Sequence, residues 1–385
     1  MKKIGIYIHV PFCVRKCYYC DFLSFPAGEE RRERYVNGLL REIEKESAQY
    51  KEYEVDSVFI GGGTPTVLYA GQIRRIMDGM RAGFSFGKEP EITIEANPGT
   101  VDLGKLESCR EAGINRISIG AQSMDDRELA LLGRVHSSKD FLEAYGLARK
   151  AGFRNMNVDM MAALPGQKIG GYLEGLQRVI DLEPEHISAY SLIVEEGTPF
   201  YEWYGEDGKR RNDFPSHLPS EEEEREMYER TGEILEAAGY DRYEISNYAK
   251  PGYECRHNIG YWQRRDYAGF GLGAASMAAN VRWKNSADME KYLCCIEDGS
   301  GDVKEEVCAL SIKEQMEEFM FLGLRMTEGV GKEDFYDVFG RSLESVYGEV
   351  IERLCGQGLL LDGERVRLTP YGRDISNYVM AQFLW

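Results

Sequence analysis

Lys3-Ile4-Gly5-Ile6-Tyr7-Ile8-His9-Val10, followed by Pro11-Phe12-Cys13-Val14-Arg15-Lys16-Cys17-Tyr18-Tyr19-Cys20, is the stretch on which the fold turns. Its first eight residues read as a strand, and three cysteines follow directly in C-x3-C-x2-C spacing. Outward from it the pattern repeats. Glu30–Tyr50 reads as a charged amphipathic helix, Val55–Ile60 as a strand and Gly71–Phe84 as a helix. Glu91–Ala96, Leu103–Ala112, Arg116–Ala121 and helical pieces from Asp125 to Lys150 follow. Asn155–Ala163, a helix near Gly170–Leu182 and His186–Ile193 close the series. Such alternation implies parallel strands joined by helices. Six units predict an α/β fold, a partial (β/α)6 TIM-type barrel. Chemistry then belongs at the carboxyl ends of the strands.

Three regions are expected: a barrel over 1–205, an extension over 206–305 and a C-terminal domain over 306–385. The polar run Gly205–Ser220 reads as a loop or domain joint. Ser220 with Glu223, and Ser311 with Glu314, have the spacing of capping boxes. Glu221–Glu224 then reads as a solvated first helical turn, favoured by the helix dipole. Leu359-Leu360-Leu361, Asp362-Gly363 and Val366-Arg367-Leu368 form a hairpin signature. Helices followed by a hairpin resemble a winged helix. Between Ser311 and Trp385, eight Lys and Arg face thirteen Asp and Glu, which argues against DNA binding there.

The whole chain agrees. Its 385 residues carry 47 Lys and Arg against 65 Asp and Glu, a formal net charge of −18. Nucleic acid and anionic lipid are therefore poor partners. No segment reaches the ~20 apolar residues of a membrane helix. The apolar N-terminal run is too short for a secretory signal, and His9 and Pro11 interrupt it. Nine cysteines, three of them crowded near the start, suggest metal ligation in a reducing cytoplasm over a disulfide framework.

Thiolates at C-x3-C-x2-C spacing reach one metal centre from one loop. Structural zinc takes four ligands, and the next cysteine is Cys109. A four-iron cluster on Cys13, Cys17 and Cys20 leaves one iron open to a small molecule. Phe12, Tyr18, Tyr19 and Phe22 are expected to shield it. Gly61-Gly62-Gly63-Thr64-Pro65 after the second strand lets backbone N–H groups approach a ligand. It is not a Walker A loop, because no Gly-Lys-Ser/Thr follows. Gly269-Phe270-Gly271-Leu272-Gly273-Ala274 fits G-x-G-x-x-A. Gln263–Ala268 before it is not a convincing strand, so no dinucleotide fingerprint is expected.

The cysteine spacing within Tyr-Ile-His-Val-Pro-Phe-Cys resembles the radical S-adenosylmethionine (SAM) proteins, and more narrowly their coproporphyrinogen-oxidase-like branch. The resemblance implies a [4Fe-4S] cluster whose open iron binds SAM. It also implies a SAM pocket of Tyr7, Gly62, Gly63, Thr64, Glu95, Gln122, Arg134, Asp159 and Ile193. The carboxylates would accept from SAM's hydroxyl and amino groups, and Arg134 would pair with its carboxylate. Asp159-Met160-Met161-Ala162-Ala163 departs from the aromatic- and glycine-containing form of that strand end. Ala275 stands before Ser276 where the family usually has a histidine, so no role transfers there.

His257-Asn258-Ile259-Gly260-Tyr261-Trp262 reads H-N-x-x-Y-W. From its chemistry this is a haem-binding histidine or a hydrogen-bonded histidine in an aromatic core. It resembles the signature of the HemW-type haem chaperones, which implies that His257 contacts haem. Two features separate these chaperones from the oxygen-independent coproporphyrinogen III oxidases. The oxidases continue C-x3-C-x2-C-x-C, whereas Asp21-Phe22 follows Cys20 here. They also carry an extension before the cluster loop, whereas the first cysteine here is already residue 13. The resemblance therefore implies a cytoplasmic haem chaperone, monomeric or homodimeric. Haem is its cargo, and haem-acceptor proteins and, where SAM is cleaved, an electron donor are its partners. The alternatives are coproporphyrinogen III oxidation and a radical SAM reaction on another substrate.

Overall fold

The computed structural model describes residues 1–205, 215, 217–299 and 301–384. Six parallel strands stand beside one another in chain order: β1 (Lys2–Val10), β2 (Tyr53–Gly62), β3 (Phe86–Ala96), β4 (Arg116–Gln122), β5 (Asn155–Ala162) and β6 (His186–Ser191). The helices Glu29–Glu46, Ala70–Gly83, Leu103–Glu111, Ser138–Lys150 and Ile169–Ile180 make the crossovers. The outward faces of the strands are apolar because these helices cover them. Ile6, Ile8, Val58, Ile94, Ile117, Ile119 and Val158 are all buried there.

The sheet does not stop at six strands. β7 (Asp241–Arg242) and β8 (Asn247–Ala249) continue it antiparallel beyond β6. At the other edge β9 (Tyr267–Phe270) pairs in parallel with β1, from Gly5 opposite Tyr267 to Ile8 opposite Phe270. β10 (Ala275–Ala278), β11 (Val281–Asn285) and β12 (Lys304–Ala309) follow antiparallel. The result is one twelve-stranded sheet among the described residues. Residues from β2 through β6 and from the loop after β1 line a single cavity. The parallel part is therefore curled into the expected partial barrel.

β9 corrects the sequence reading around the glycine-rich run. Arg264, Arg265 and Asp266 precede it and hide its strand character. It is also too short to show an alternating pattern. The run nevertheless builds no dinucleotide turn, because the strand β10 follows it and not a helix. Buried Glu42 ties this edge to the first helix. Its carboxyl accepts from the backbone N–H of Gly271 at 2.8 Å, from Asn285 Nδ2 at 2.6 Å and from the Tyr292 hydroxyl at 2.7 Å.

Two capping boxes form as expected, Ser220 with Glu223 and Ser311 with Glu314. The loop expected over 205–220 lies largely outside the described residues. Buried Leu235, Tyr248, Phe270 and Leu293, all from the expected middle region, join the barrel core. A separate core, centred on Met320, Phe335, Tyr347 and Leu354, underlies the C-terminal part. There β13 (Val330–Gly331), β14 (Leu360–Asp362) and β15 (Arg365–Leu368) form a small sheet in the order β13-β15-β14. With the helices Ile312–Gly323, Lys332–Phe339 and Leu343–Gly356 this is the expected winged-helix-like arrangement. No helix among the described residues is long and apolar enough to cross a membrane.

Candidate functional site

The cysteine loop is fastened on three sides. Cys13 N–H donates to Phe25 O at 3.2 Å, and Phe25 N–H to Pro11 O at 3.0 Å. Tyr18 N–H donates to Leu132 O at 3.0 Å, and Arg15 Nη2 to Gly133 O at 2.6 Å. From below, Gly63 N–H reaches Val10 O at 2.9 Å and Thr64 N–H reaches Phe12 O at 2.7 Å. Gly62 N–H donates to Glu95 Oε2 at 3.0 Å. The glycine-loop donors expected to face a ligand are thus engaged by the protein: those of Gly63 and Thr64 hold the end of β1 and the start of the cysteine loop, and that of Gly62 holds Glu95. Glycine is required for this. Gly62 has φ +104, and a Cβ there would lie 2.3 Å from the His9 ring. A Cβ on Gly63 would lie 2.6 Å from the Phe12 carbonyl oxygen.

Cys13, Cys17 and Cys20 all face one cavity of about 500 Å³ at the barrel mouth. Cys13 Sγ lies 3.5 Å from Thr64 Oγ1, and Arg134 Nη1 donates to Cys17 Sγ at 3.8 Å. Burial, chiefly, pushes the Cys20 thiol up to about 11, and the neighbouring Cys17 and Cys13 add to it. Binding metal there displaces a proton. A four-iron cluster takes one thiolate per iron, so its cysteines stand apart by the width of the cluster. Among the described residues no three Cys, His, Asp or Glu converge as a single-ion site.

The cavity wall also contains Gly62, Gly63, Thr64, Glu95, Gln122, Arg134 and Asp159, with Ile193 at its exposed rim. Burial raises the Glu95 carboxyl to about 8, and Asp159 adds to it. Burial raises Asp159 as well, against donation from Asn157 Nδ2 at 2.7 Å and Ser118 Oγ at 3.2 Å. Gln122 ends β4 in a left-handed conformation, φ 66, and its side chain accepts from the Tyr190 hydroxyl at 3.1 Å. Arg134 donates to Gly120 O at 2.8 Å, which aims its guanidinium across the mouth toward Cys17. Tyr7 is not part of this wall. Its hydroxyl meets His9 Nδ1 at 2.9 Å, and its ring stacks behind Phe59. Of the expected shields, Tyr19 and the largely exposed Phe22 line the cavity, whereas Phe12 is fully buried and does not.

His257 lies elsewhere. The helix Arg256–Trp262 packs against the amino-terminal halves of the strands, and Glu91 accepts from the backbone N–H groups of Arg256 and His257, both at 3.1 Å. The ring of His257 stacks on Phe59 with centroids 5.3 Å apart. Nδ1 meets Ser57 Oγ at 2.9 Å and Nε2 meets the Tyr261 hydroxyl at 3.0 Å. Ser57 precedes Gly62 by five residues on β2, roughly 16 Å along the strand. Burial, and then Arg116, lowers the imidazole to about 3, so it is neutral. The adjoining recess measures only about 20 Å³ and is flanked by Lys3, Arg256, Arg265, Asp56 and Asp266. His257 therefore sits at the far end of the barrel from the cysteines, with both ring nitrogens hydrogen-bonded.

Sequence reasoning missed the layers between these two ends. Ser118, Asn157 and Ser188 line the cavity below Gln122, and Arg116 lies deeper still. A signal was present. Arg116-x-Ser118-x-Gly120-x-Gln122, Asn157-x-Asp159 and His186-x-Ser188-x-Tyr190 alternate polar residues with the period of a strand.

The residues at the mouth fit a [4Fe-4S] cluster and SAM. Three thiols share one cavity with two buried carboxyls and an arginine, as a positively charged ligand bearing an amino acid group requires. A model of the radical SAM superfamily matches residues 7–174, and one of the HemN C-terminal domain matches residues 310–375. The heme chaperone HemW of Bacillus subtilis is 38% identical over 98% of both chains. That of Lactococcus lactis is 36% identical over all of this chain and 98% of its own. The solved coproporphyrinogen III oxidase HemN of Escherichia coli is 23% identical and superposes with a TM-score of 0.85, over 99% of this chain and 90% of that one. It shows the same fold. The chain belongs to the radical SAM superfamily and, within it, to the HemW family.

Proposed function

We propose that this chain binds haem and delivers it to acceptor proteins, carrying a [4Fe-4S] cluster on Cys13, Cys17 and Cys20 with SAM beside it. The observation that carries this reading is the near full-length similarity to proteins named heme chaperone HemW. Phe22 supports it too, since it stands two residues after Cys20, where the oxidases have a further cysteine. Such a cluster, once reduced, would supply the electron for cleavage of SAM. The protein's own residues position SAM: Glu95 and Asp159 accept from its hydroxyl and amino groups, and Arg134 faces its carboxylate.

Glu95 makes SAM binding depend on pH. Its carboxyl stands near 8 in the folded chain. The acid form accepts hydrogen bonds poorly and does not pair with SAM's positive charge. Below about 8 SAM therefore binds with release of a proton. Its affinity is expected to rise with pH, up to about tenfold per unit, and to level off above 8. Titration calorimetry between pH 6 and 9 checks this. The Glu95→Gln variant is expected to bind more weakly and without that slope, and an equal slope in the variant removes Glu95 from the SAM site.

For haem, we propose that His257 offers Nε2 to the iron once the Tyr261 hydroxyl yields it. The recess outside His257 supports this, because Lys3, Arg256 and Arg265 outnumber Asp56 and Asp266 there. That surplus of positive charge suits the propionates of haem. The recess is far too small for a macrocycle as it stands, so the helix Arg256–Trp262 must shift outward. We place the protein in the cytoplasm, where its free thiols would stay reduced. A second reading, radical oxidation of coproporphyrinogen III, draws on the complete cavity wall. Formation of 5′-deoxyadenosine that depends on coproporphyrinogen would favour it.

A further inference from the structure

The parallel barrel of an ordinary α/β protein is filled by layers of branched apolar side chains. This one is polar to its base. Arg116 begins β4, six residues before Gln122, and so lies roughly 20 Å along the strand from the mouth. It is 2% exposed and lines the cavity. Among the described residues its guanidinium makes no hydrogen bond and no ion pair, and its Nε is buried without a partner. Glu91, Asp159, Cys255 and Tyr243 surround it electrostatically. Each is otherwise engaged. Glu91 caps the helix Arg256–Trp262 and takes the Cys255 thiol at 3.6 Å. Asp159 accepts from Asn157 and Ser118. The Tyr243 hydroxyl meets His186 Nε2 at 2.8 Å.

A buried guanidinium with five unused donors is costly, and a structure keeps it only where something pairs with it. One further group is unmet on the same floor. Asn247 gives its amide N–H to Glu244 at 2.6 Å, while its Oδ1 is buried without a donor. Asn247 and Arg116 line the same cavity. The unmet pair is thus a fork of cationic donors and a neutral acceptor. Asn157 is not available to either, since its amide is saturated by Ser118, Asp159, His186 and Ser188.

We propose that the base of the barrel is a second ligand site, separate from the SAM residues at the mouth, which binds a small carboxylic acid bearing a hydroxyl or amino group. The carboxylate lies against Arg116 in the two-pronged geometry that guanidinium favours. The hydroxyl or amino N–H donates to Asn247 Oδ1. A plain fatty acid of the same size satisfies only the first contact and binds more weakly. SAM reaches the mouth residues without touching this floor, so the two ligands bind together.

The test uses the protein reconstituted anaerobically with its cluster and saturated with SAM. Lactate, glycine, propionate and, as the ionic-strength control, chloride are titrated while the melting midpoint and binding heat are recorded. Lactate or glycine is expected to raise the midpoint saturably, propionate to act only at higher concentration, and chloride not at all. Arg116→Gln is expected to weaken lactate binding by roughly 30-fold or more, while the cluster absorbance stays as in wild type. Asn247→Leu, which removes the acceptor, is expected to lose the preference for lactate over propionate. No saturable response to any of the acids overturns the proposal, as does an equal response in Arg116→Gln. Displacement of SAM by lactate also overturns it, because the floor would then be part of the SAM site.

Discussion

Gly63→Ala is expected to lose the iron–sulfur cluster while the barrel stays folded. The added Cβ would stand 2.6 Å from Phe12 O and 2.9 Å from both Phe12 N and Val10 O. All three are backbone atoms, of the last residue of β1 and of the cysteine loop that follows it, and none can swing aside as a side-chain tip does. The loop must lift away, breaking the hydrogen bond from Gly63 N–H to Val10 O and straining that from Thr64 N–H to Phe12 O. The cost is about 1–3 kcal/mol, concentrated on the segment that carries all three thiols. Iron content and the cluster's visible absorbance after anaerobic reconstitution report the loss. Gly71→Ala is the control. Nothing lies within 4 Å of a Cβ at that helical site, so its cluster loading should match wild type and its stability should rise by roughly 0.5–1 kcal/mol. Wild-type cluster content in Gly63→Ala would show that the glycine loop does not set the cysteine loop's position.

The second large effect concerns His257, and it changes how a haem-binding experiment has to be read. His257→Ala removes a fully buried ring from beneath Phe59 and leaves the Ser57 and Tyr261 hydroxyls without their partner. A cavity and two unmet polar groups together cost about 3–5 kcal/mol. Chemical denaturation should show that loss in the protein without haem. Loss of haem by this variant alone is therefore ambiguous. Tyr261→Phe resolves it. It removes one hydroxyl, costs about 1 kcal/mol and frees Nε2 at its present position. If His257 ligates haem, Tyr261→Phe binds haem at least as tightly as wild type and His257→Ala does not bind it. If both variants retain haem as wild type does, the histidine is a packing residue.

Much of this arrangement was legible because strand and site coincide in the sequence. Each of the six parallel strands has apolar residues on its helix-covered face, and each brings residues to the cavity: Cys13 after β1, Gly62 to Thr64 at β2, Glu95 at β3, Gln122 at β4, Asp159 on β5 and Ile193 after β6. A parallel barrel places successive strand ends in one ring, so spacing along the chain becomes proximity in space. Two kinds of feature were not legible. The hydrogen bonds of the Gly63 and Thr64 N–H groups go to the cysteine loop, and a glycine-rich turn reads the same whether its donors face a ligand or a neighbouring loop. The position of His257 was hidden for a different reason. H-N-x-x-Y-W states residue types but not the end of the barrel that they plug, and that end is set by Glu91 capping the helix from β3. The short strand β9 escaped because its lead-in is charged and its partner, β1, is more than 250 residues earlier.

The central claim is that this radical SAM fold serves haem delivery. It is tested most directly by passing haem-loaded, anaerobically reconstituted wild-type protein through a desalting column. The same preparation is then offered coproporphyrinogen with SAM and reductant. The account predicts about one haem retained per chain and no SAM-dependent loss of coproporphyrinogen. A protein that releases all its haem on the column and decarboxylates coproporphyrinogen would contradict it.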